Sequence, residues 1–196
     1  TSYPAAYQVD RTAGANPLRQ PLSNLDDAGQ LYGAIIYQKA PIAMRQLEMV
    51  AGETAFRDGL REYLSTYRFG NASWDDLVRV LDARTPEDLA AWSRAWVEER
   101  GRPEFTTDLR VEGGRVSGLT LTVTDPLRRG LVWPQRLRVA LGYESGVRYI
   151  RVDVAAASVV VAEAEGMPEP LFVLPGGAGV GYGLFSLDTA SREYLL

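Results

Sequence analysis

Within Ile36-Tyr37-Gln38-Lys39-Ala40-Pro41, a phenol and the only lysine of the chain stand two residues apart, where an apolar run turns into a helix. A tyrosine keeps its proton at neutral pH, with an ordinary pKa of about 10. It can therefore donate a hydrogen bond to negative charge that develops nearby. A tyrosine beside Ile35 and Ile36 can equally be a core residue with a tethered hydroxyl. The residues alone leave both readings open. Lys39 reads as structural.

Other chemistry is narrowed by two absences. The sequence has no histidine and no cysteine. That removes the commonest general base, the commonest zinc ligand, the thiolate nucleophile and any disulfide framework. A Ser-His-Asp triad cannot be built. Metal ligands would have to be carboxylates, yet Asp26-Asp27 and Asp75-Asp76 are adjacent pairs, and neighbours do not face one another on a helix. No calcium-loop pattern occurs. Paired carboxylates for glycoside chemistry are permitted by the 25 acidic residues, but nothing singles out a pair. The stretch "PGGAGVGYGLF" lacks the Lys-Ser/Thr of a phosphate-binding loop. Tyr182 also stands where the G-x-G-x-x-G pattern needs a glycine or alanine, so an inter-strand loop is expected.

The elements that position these residues fall into two parts. Of 196 residues, 46% are hydrophobic, enough for real cores. The net charge is −4, and up to Pro103 there are 12 basic and 14 acidic residues, against 9 and 11 beyond it. Neither part is a basic patch, so nucleic acid is not an expected partner. No apolar run approaches the roughly 18 residues that span a bilayer. Nothing near Thr1 resembles a signal peptide, and the missing initiator Met suggests a processed product or an excised piece. The compartment stays unknown.

Up to Pro103 the pattern is helical after an irregular lead-in over residues 1–24. Ile42, Leu47 and Val50, with Met44 and Met49, give one apolar face, with Pro41 near the helix start and Gly52 as its stop. Phe56, Leu60, Tyr63, Leu64 and Tyr67 predict a second helix. Ser73 to Asp76 resembles a capping box. Thr85-Pro86-Glu87-Asp88 predicts a fourth start, with Thr85 as its cap, ahead of Leu89, Trp92 and Trp96. After Pro103 the period becomes two, as in "GLTLTVTD" and "RLRVALGY", with turn signals between short strands. The expected fold is therefore α+β in two domains, a helical part over 1–103 and an antiparallel β-sandwich over 104–196.

An ordered set of motifs resembles the later part of the catalytic domain of M1-family zinc aminopeptidases. It comprises Tyr37-Gln38-Lys39-Ala40, Leu47-Glu48, Gly52 to Leu64, Asn71 to Leu77, and Trp92 with Trp96 before Gly101 and Pro103. The end of the chain, from "VLPGGAGVGYGLFSLD" onward, resembles the close of that family's β-sandwich domain. The resemblance spans roughly residues 15–196. It implies that the helical part is a lobe of a thermolysin-like catalytic domain. It also implies that Tyr37 donates its hydroxyl hydrogen bond to the oxyanion as zinc-bound water attacks a peptide carbonyl.

The sequence departs from the family pattern at several places. Gln38 replaces the usual Glu, Pro41 follows Ala40, and Asn16-Pro17 stands where many relatives have His-Pro. The His-Glu-x-x-His zinc motif, its downstream Glu and the Gly-x-Met-Glu-Asn substrate motif are not in the chain. The resemblance thus implies a piece of a zinc aminopeptidase that holds no metal itself and is inactive alone. It would act on peptides only when packed against an upstream zinc-binding part. The alternatives are a non-catalytic binding or scaffold module, in which Tyr37 is a packing residue, and an unrelated glycosidase using acidic residues.

Overall fold

The computed structural model describes residues 4–12, 14–21, 24, 33–177 and 179–196. The pair Asp26-Asp27 lies outside them. The chain divides into two compact units, Thr1–Arg100 and Gly101–Leu196. The first is helical and the second is built on two sheets, so the class is α+β.

The helical unit begins with α1 (Pro4–Asp10), which lies inside the lead-in expected to be irregular. Seven residues give too short a helical period to read from sequence, and α1 is stabilised by tertiary contacts at Ala6 and Asp10, both buried. A π-helical turn (Ile35–Lys39) runs directly into α2 (Ala40–Ala51). Ile35, Lys39, Ile42, Ala43, Gln46, Leu47 and Val50 form one buried stripe along this continuous path. Pro41 falls in the first turn of the α register, where a missing N–H costs least. The helical path nevertheless starts six residues earlier. The wider turn absorbs the proline, since at Ala40 the backbone N–H already donates to the carbonyl of Ile35. Gly52, at φ 89°, closes α2 in a conformation that favours glycine.

Helix α3 (Glu53–Thr66) packs on α4 (Trp74–Asp82) through Gly59. A Cβ at Gly59 would lie 2.5 Å from Leu81 Cδ2, so the close approach needs glycine. Leu64, expected on the packed face, is 67% exposed. Gly59 is the buried residue of α3. At α4 the capping box is complete: Ser73 Oγ accepts from the Asp76 N–H, and the Asp76 carboxylate accepts from the Ser73 N–H. The start of α5 (Leu89–Ser93) is corrected from Thr85 to Asp88. The Asp88 carboxylate accepts from the Ala91 N–H at 2.7 Å, while Thr85 Oγ1 accepts only from Glu87. A carboxylate three residues ahead of an unpaired N–H is the better acceptor. A second π-helical turn (Arg94–Glu98) continues α5 and buries Ala95, Trp96 and Val97.

In the second unit, one sheet has the order β5-β2-β1-β7 and the other β4-β3-β6. The strands are β1 (Glu104–Glu112), β2 (Arg115–Thr124), β3 (Gln135–Tyr143), β4 (Gly146–Val154), β5 (Ser158–Val160), β6 (Phe172–Leu174) and β7 (Leu184–Ser186). Leu119, Leu121 and Val123 of the first sheet share one apolar core with Leu137, Val139, Leu141, Ile150 and Val152 of the second. Alternation with polar neighbours is what directs them inward. Gly113-Gly114, at φ 58° and 72°, makes the tight β1–β2 turn. One expectation is amended: β7 pairs parallel to β1, so the first sheet is mixed. The chain crosses from β6 in one sheet to β7 in the other, and a crossover permits parallel pairing where a hairpin does not. The short helix α6 (Thr189–Leu195), capped by Asp188, follows where no helix was expected.

Candidate functional site: the tyrosine-bearing turn

The geometry of the first π turn follows from one buried charge. Lys39 shares the apolar stripe of α2 and is 0% exposed. An isolated buried ammonium costs several kcal/mol, so it needs an anion within reach. Asp10, the last residue of α1, provides it: Lys39 Nζ lies 2.8 Å from Asp10 Oδ2, and both side chains are fully enclosed. The adjacent residue is also tied to α1, because Gln38 Oε1 accepts from the Ala6 N–H at 3.1 Å. Two consecutive residues of the turn are thus fastened to one short helix.

Two residues along a helix point roughly 200° apart. With Lys39 turned inward, Tyr37 is turned outward, and it is 64% exposed. Its backbone N–H donates to the Gly33 carbonyl at 3.0 Å, which holds the turn at its entry. Tyr37 is therefore not a core residue of the helical unit. A small, mostly apolar hollow of about 260 Å³ lies against the Ile36 side of the turn, lined also by Leu18, Arg19, Met44, Trp74 and Val97.

The other acidic candidates are committed to structural partners. Both Asp75 oxygens pair with Arg19, at 2.8 and 3.0 Å. Asp76 accepts from Ser73, Tyr67 and Arg79. Those donors, the Ser73 backbone N–H first, hold its carboxyl well below the usual carboxylate range. In the β unit, burial opposes the ionisation of Asp125. The Arg129 guanidinium and the backbone N–H groups of Leu127 and Arg129 outweigh burial, and the carboxyl is lowered. Burial raises the Tyr143 phenol. Among the described residues no three His, Cys, Asp or Glu side chains come together in a way that could hold a metal ion.

Residues 1–96 match the model of the Peptidase family M1 domain. The first half of this chain, residues 1–96, is an M1-family segment. The M1 match contains α1, the Tyr37 turn and the Trp92–Trp96 segment. Over 107 residues the chain is 36% identical to aminopeptidase N of Streptomyces lividans, covering 53% of this chain and 12% of that protein. It is 29% identical over 98 residues to the alanine/arginine aminopeptidase of Saccharomyces cerevisiae, covering 50% and 11%. A third relative, the tricorn protease-interacting factor F2 of Thermoplasma acidophilum, aligns at 25% identity over 191 residues, covering 96% of this chain and 23% of the relative. The chain spans less than a quarter of the length of each of these curated relatives.

Asp10 was not visible from sequence as the partner of Lys39, because its helix is short. A signal did exist. Lys39 sits on an apolar stripe four residues after Ile35 and three before Ile42, and a cation there demands a buried anion from elsewhere in the chain. Sequence alone could not say which of the acidic residues supplies it.

Proposed function

We propose that this chain is the tyrosine-bearing part of an M1-type aminopeptidase that removes N-terminal residues from peptides, and that Tyr37 is its oxyanion donor. One observation carries the reading: a phenol of a family M1 segment stands exposed on a turn tied down at the next two residues. As a peptide carbonyl becomes tetrahedral, negative charge gathers on its oxygen. A fixed O–H aimed at that oxygen stabilises the transition state more than the ground state. The phenol suits this because it carries an O–H donor on a turn that is tied to α1. The apolar hollow beside the turn can receive an apolar part of the substrate.

In this reading residues 1–103 form the helical lobe of a thermolysin-like catalytic domain, and residues 104–196 its following β-sandwich domain. Zinc belongs to the parent protein and is held by residues outside this sequence, against which the helical lobe packs. The isolated chain is inactive. Turnover of a peptide substrate by the pure 196-residue chain would overturn that part. The donor role is tested by Tyr37→Phe in the parent enzyme. A fall in kcat of about 10²–10³-fold with unchanged folding supports it, and full turnover removes it.

A second reading draws on the relative that aligns along nearly the whole chain, which is named for interaction with a protease. On that reading the chain is a non-catalytic binding module and Tyr37 contributes contact area. Tyr37→Phe then weakens partner capture and leaves peptide hydrolysis unchanged.

A further inference from the structure

Lys39 and Asp10 lie on the side of the turn opposite Tyr37 and make no use of the hollow or of the exposed face. Their cost is out of proportion to a merely apolar site. A methionine and a valine would fill comparable space without desolvating two charges. What an ion pair adds is direction and length. Dispersion and burial are non-directional, so an apolar stripe fixes which face of a helix is inside but tolerates small rotations about its axis. A 2.8 Å contact between the tip of Lys39 and the end of α1 does not tolerate them. The bond from Ala6 N–H to Gln38 Oε1 adds a second tie at the neighbouring residue. A π turn has a wider, less regular hydrogen-bond path than an α-helix, so its rotation needs such external ties.

We infer that the buried Asp10–Lys39 pair is a positioning device that sets the rotation of the Tyr37 turn and so aims the phenol. The inference rests on the donor reading of Tyr37. Misplacing a catalytic group by about 1 Å can cost on the order of 10²-fold. Asp10 and Lys39 are thus positioning residues that act through Tyr37, without touching the substrate.

The test uses the parent enzyme and separates aim from stability. Lys39→Met alone strands the Asp10 carboxylate and loses Tm for a trivial reason. The informative variant is Lys39→Met with Asp10→Val, which removes both charges. The expected result is a Tm restored to near the starting value, kcat still lowered about tenfold or more, and KM little changed. The same pair of substitutions placed on Tyr37→Phe changes kcat by less than about twofold, because there is no hydroxyl left to aim. Recovery of kcat together with Tm overturns the inference. An equal kcat loss with and without the Tyr37 hydroxyl overturns it too. If the double variant does not fold, Lys39→Gln with Asp10→Asn removes both charges and the reach of the pair while keeping polar side chains. A kcat loss that vanishes on the Tyr37→Phe background supports the inference, and no loss overturns it. Full activity in Tyr37→Phe itself sinks the donor reading and this inference with it. A strong Tyr37→Phe defect beside an unimpaired apolar pair sinks only the inference.

Discussion

Among its described residues the helical unit contains two π turns of five residues each, Ile35–Lys39 and Arg94–Glu98, and they do opposite things. The first encloses the only lysine of the chain and turns a phenol outward. The second encloses Ala95, Trp96 and Val97, with the Trp96 ring stacked on Trp92 at 5.7 Å. Both continue an α-helical path, so the widened backbone by itself does not mark a site. What differs is the inward-facing group. A buried ring gains most from contact area, and the Trp96 turn buries its indole against that of Trp92. A buried ammonium needs one anion in one place, and meeting that need fixes the turn that carries it. The lesson is that the residue facing away from a candidate site can decide how well the site is aimed.

The largest effects should come from the inward side of both turns. Trp96→Ala removes a fully buried indole and is expected to cost about 3–5 kcal/mol of stability, read by chemical denaturation. Lys39→Met is expected to cost a similar amount, about 3–5 kcal/mol, by leaving Asp10 enclosed without its ammonium. Adding Asp10→Val to Lys39→Met should return most of that loss. No second substitution of comparable simplicity should rescue Trp96→Ala. If the two turns respond alike, with Asp10→Val failing to rescue Lys39→Met, the contrast between a directional and a non-directional mount breaks.

Tyr37→Phe comes next and sharpens the contrast from the outward side. It should raise the catalytic barrier by about 3 kcal/mol in the parent enzyme and leave stability within about 0.5 kcal/mol, because the ring is mostly exposed. Steady-state kinetics beside a melting curve reads both. A stability loss without a kinetic one would place Tyr37 with Trp96 as a packing residue.

How much of this was legible in the sequence depends on the range of the cause. The α+β class, the capping box at Ser73, the stop at Gly52 and the two-residue alternation of β2, β3 and β4 are local in origin and could be read directly. The helix α1 and the cap at Asp88 could not. The first is too short to show a period, and at the second Thr85-Pro86 offers an equally good local signal three residues earlier. The parallel pairing of β7 depends on a crossover between sheets, which no local pattern encodes. At the site, Tyr37 and Lys39 were visible as residue types, but the direction of the phenol was not. That direction follows from Asp10, nearly thirty residues upstream, and a tertiary partner leaves no mark on its own neighbourhood.

The smallest effect lies at the edge of the helical unit and separates local capping from tertiary anchoring. Ser73→Ala should cost about 1 kcal/mol, since one of the two reciprocal capping bonds is lost. The cap should also be sensitive to acid, with a sign set by Asp76. Its folded-state pKa is lowered, the Ser73 backbone N–H being the main cause and the hydroxyls of Ser73 and Tyr67 and the Arg79 guanidinium adding to it. The folded state therefore binds that proton less readily than the unfolded chain. The stabilisation is complete above the ordinary carboxylate value of 3.8 and is lost as pH falls through the folded-state value below it. Replacing the acid in Asp76→Asn should lower Tm at pH 6, and the gap to the parent should close as the pH is taken below 3. A gap of constant size down to that pH would mean that the Asp76 charge contributes nothing to the cap. Its role would then be that of a neutral acceptor, as local in its effect as the Trp96 turn and unlike the charge-dependent mount of Tyr37.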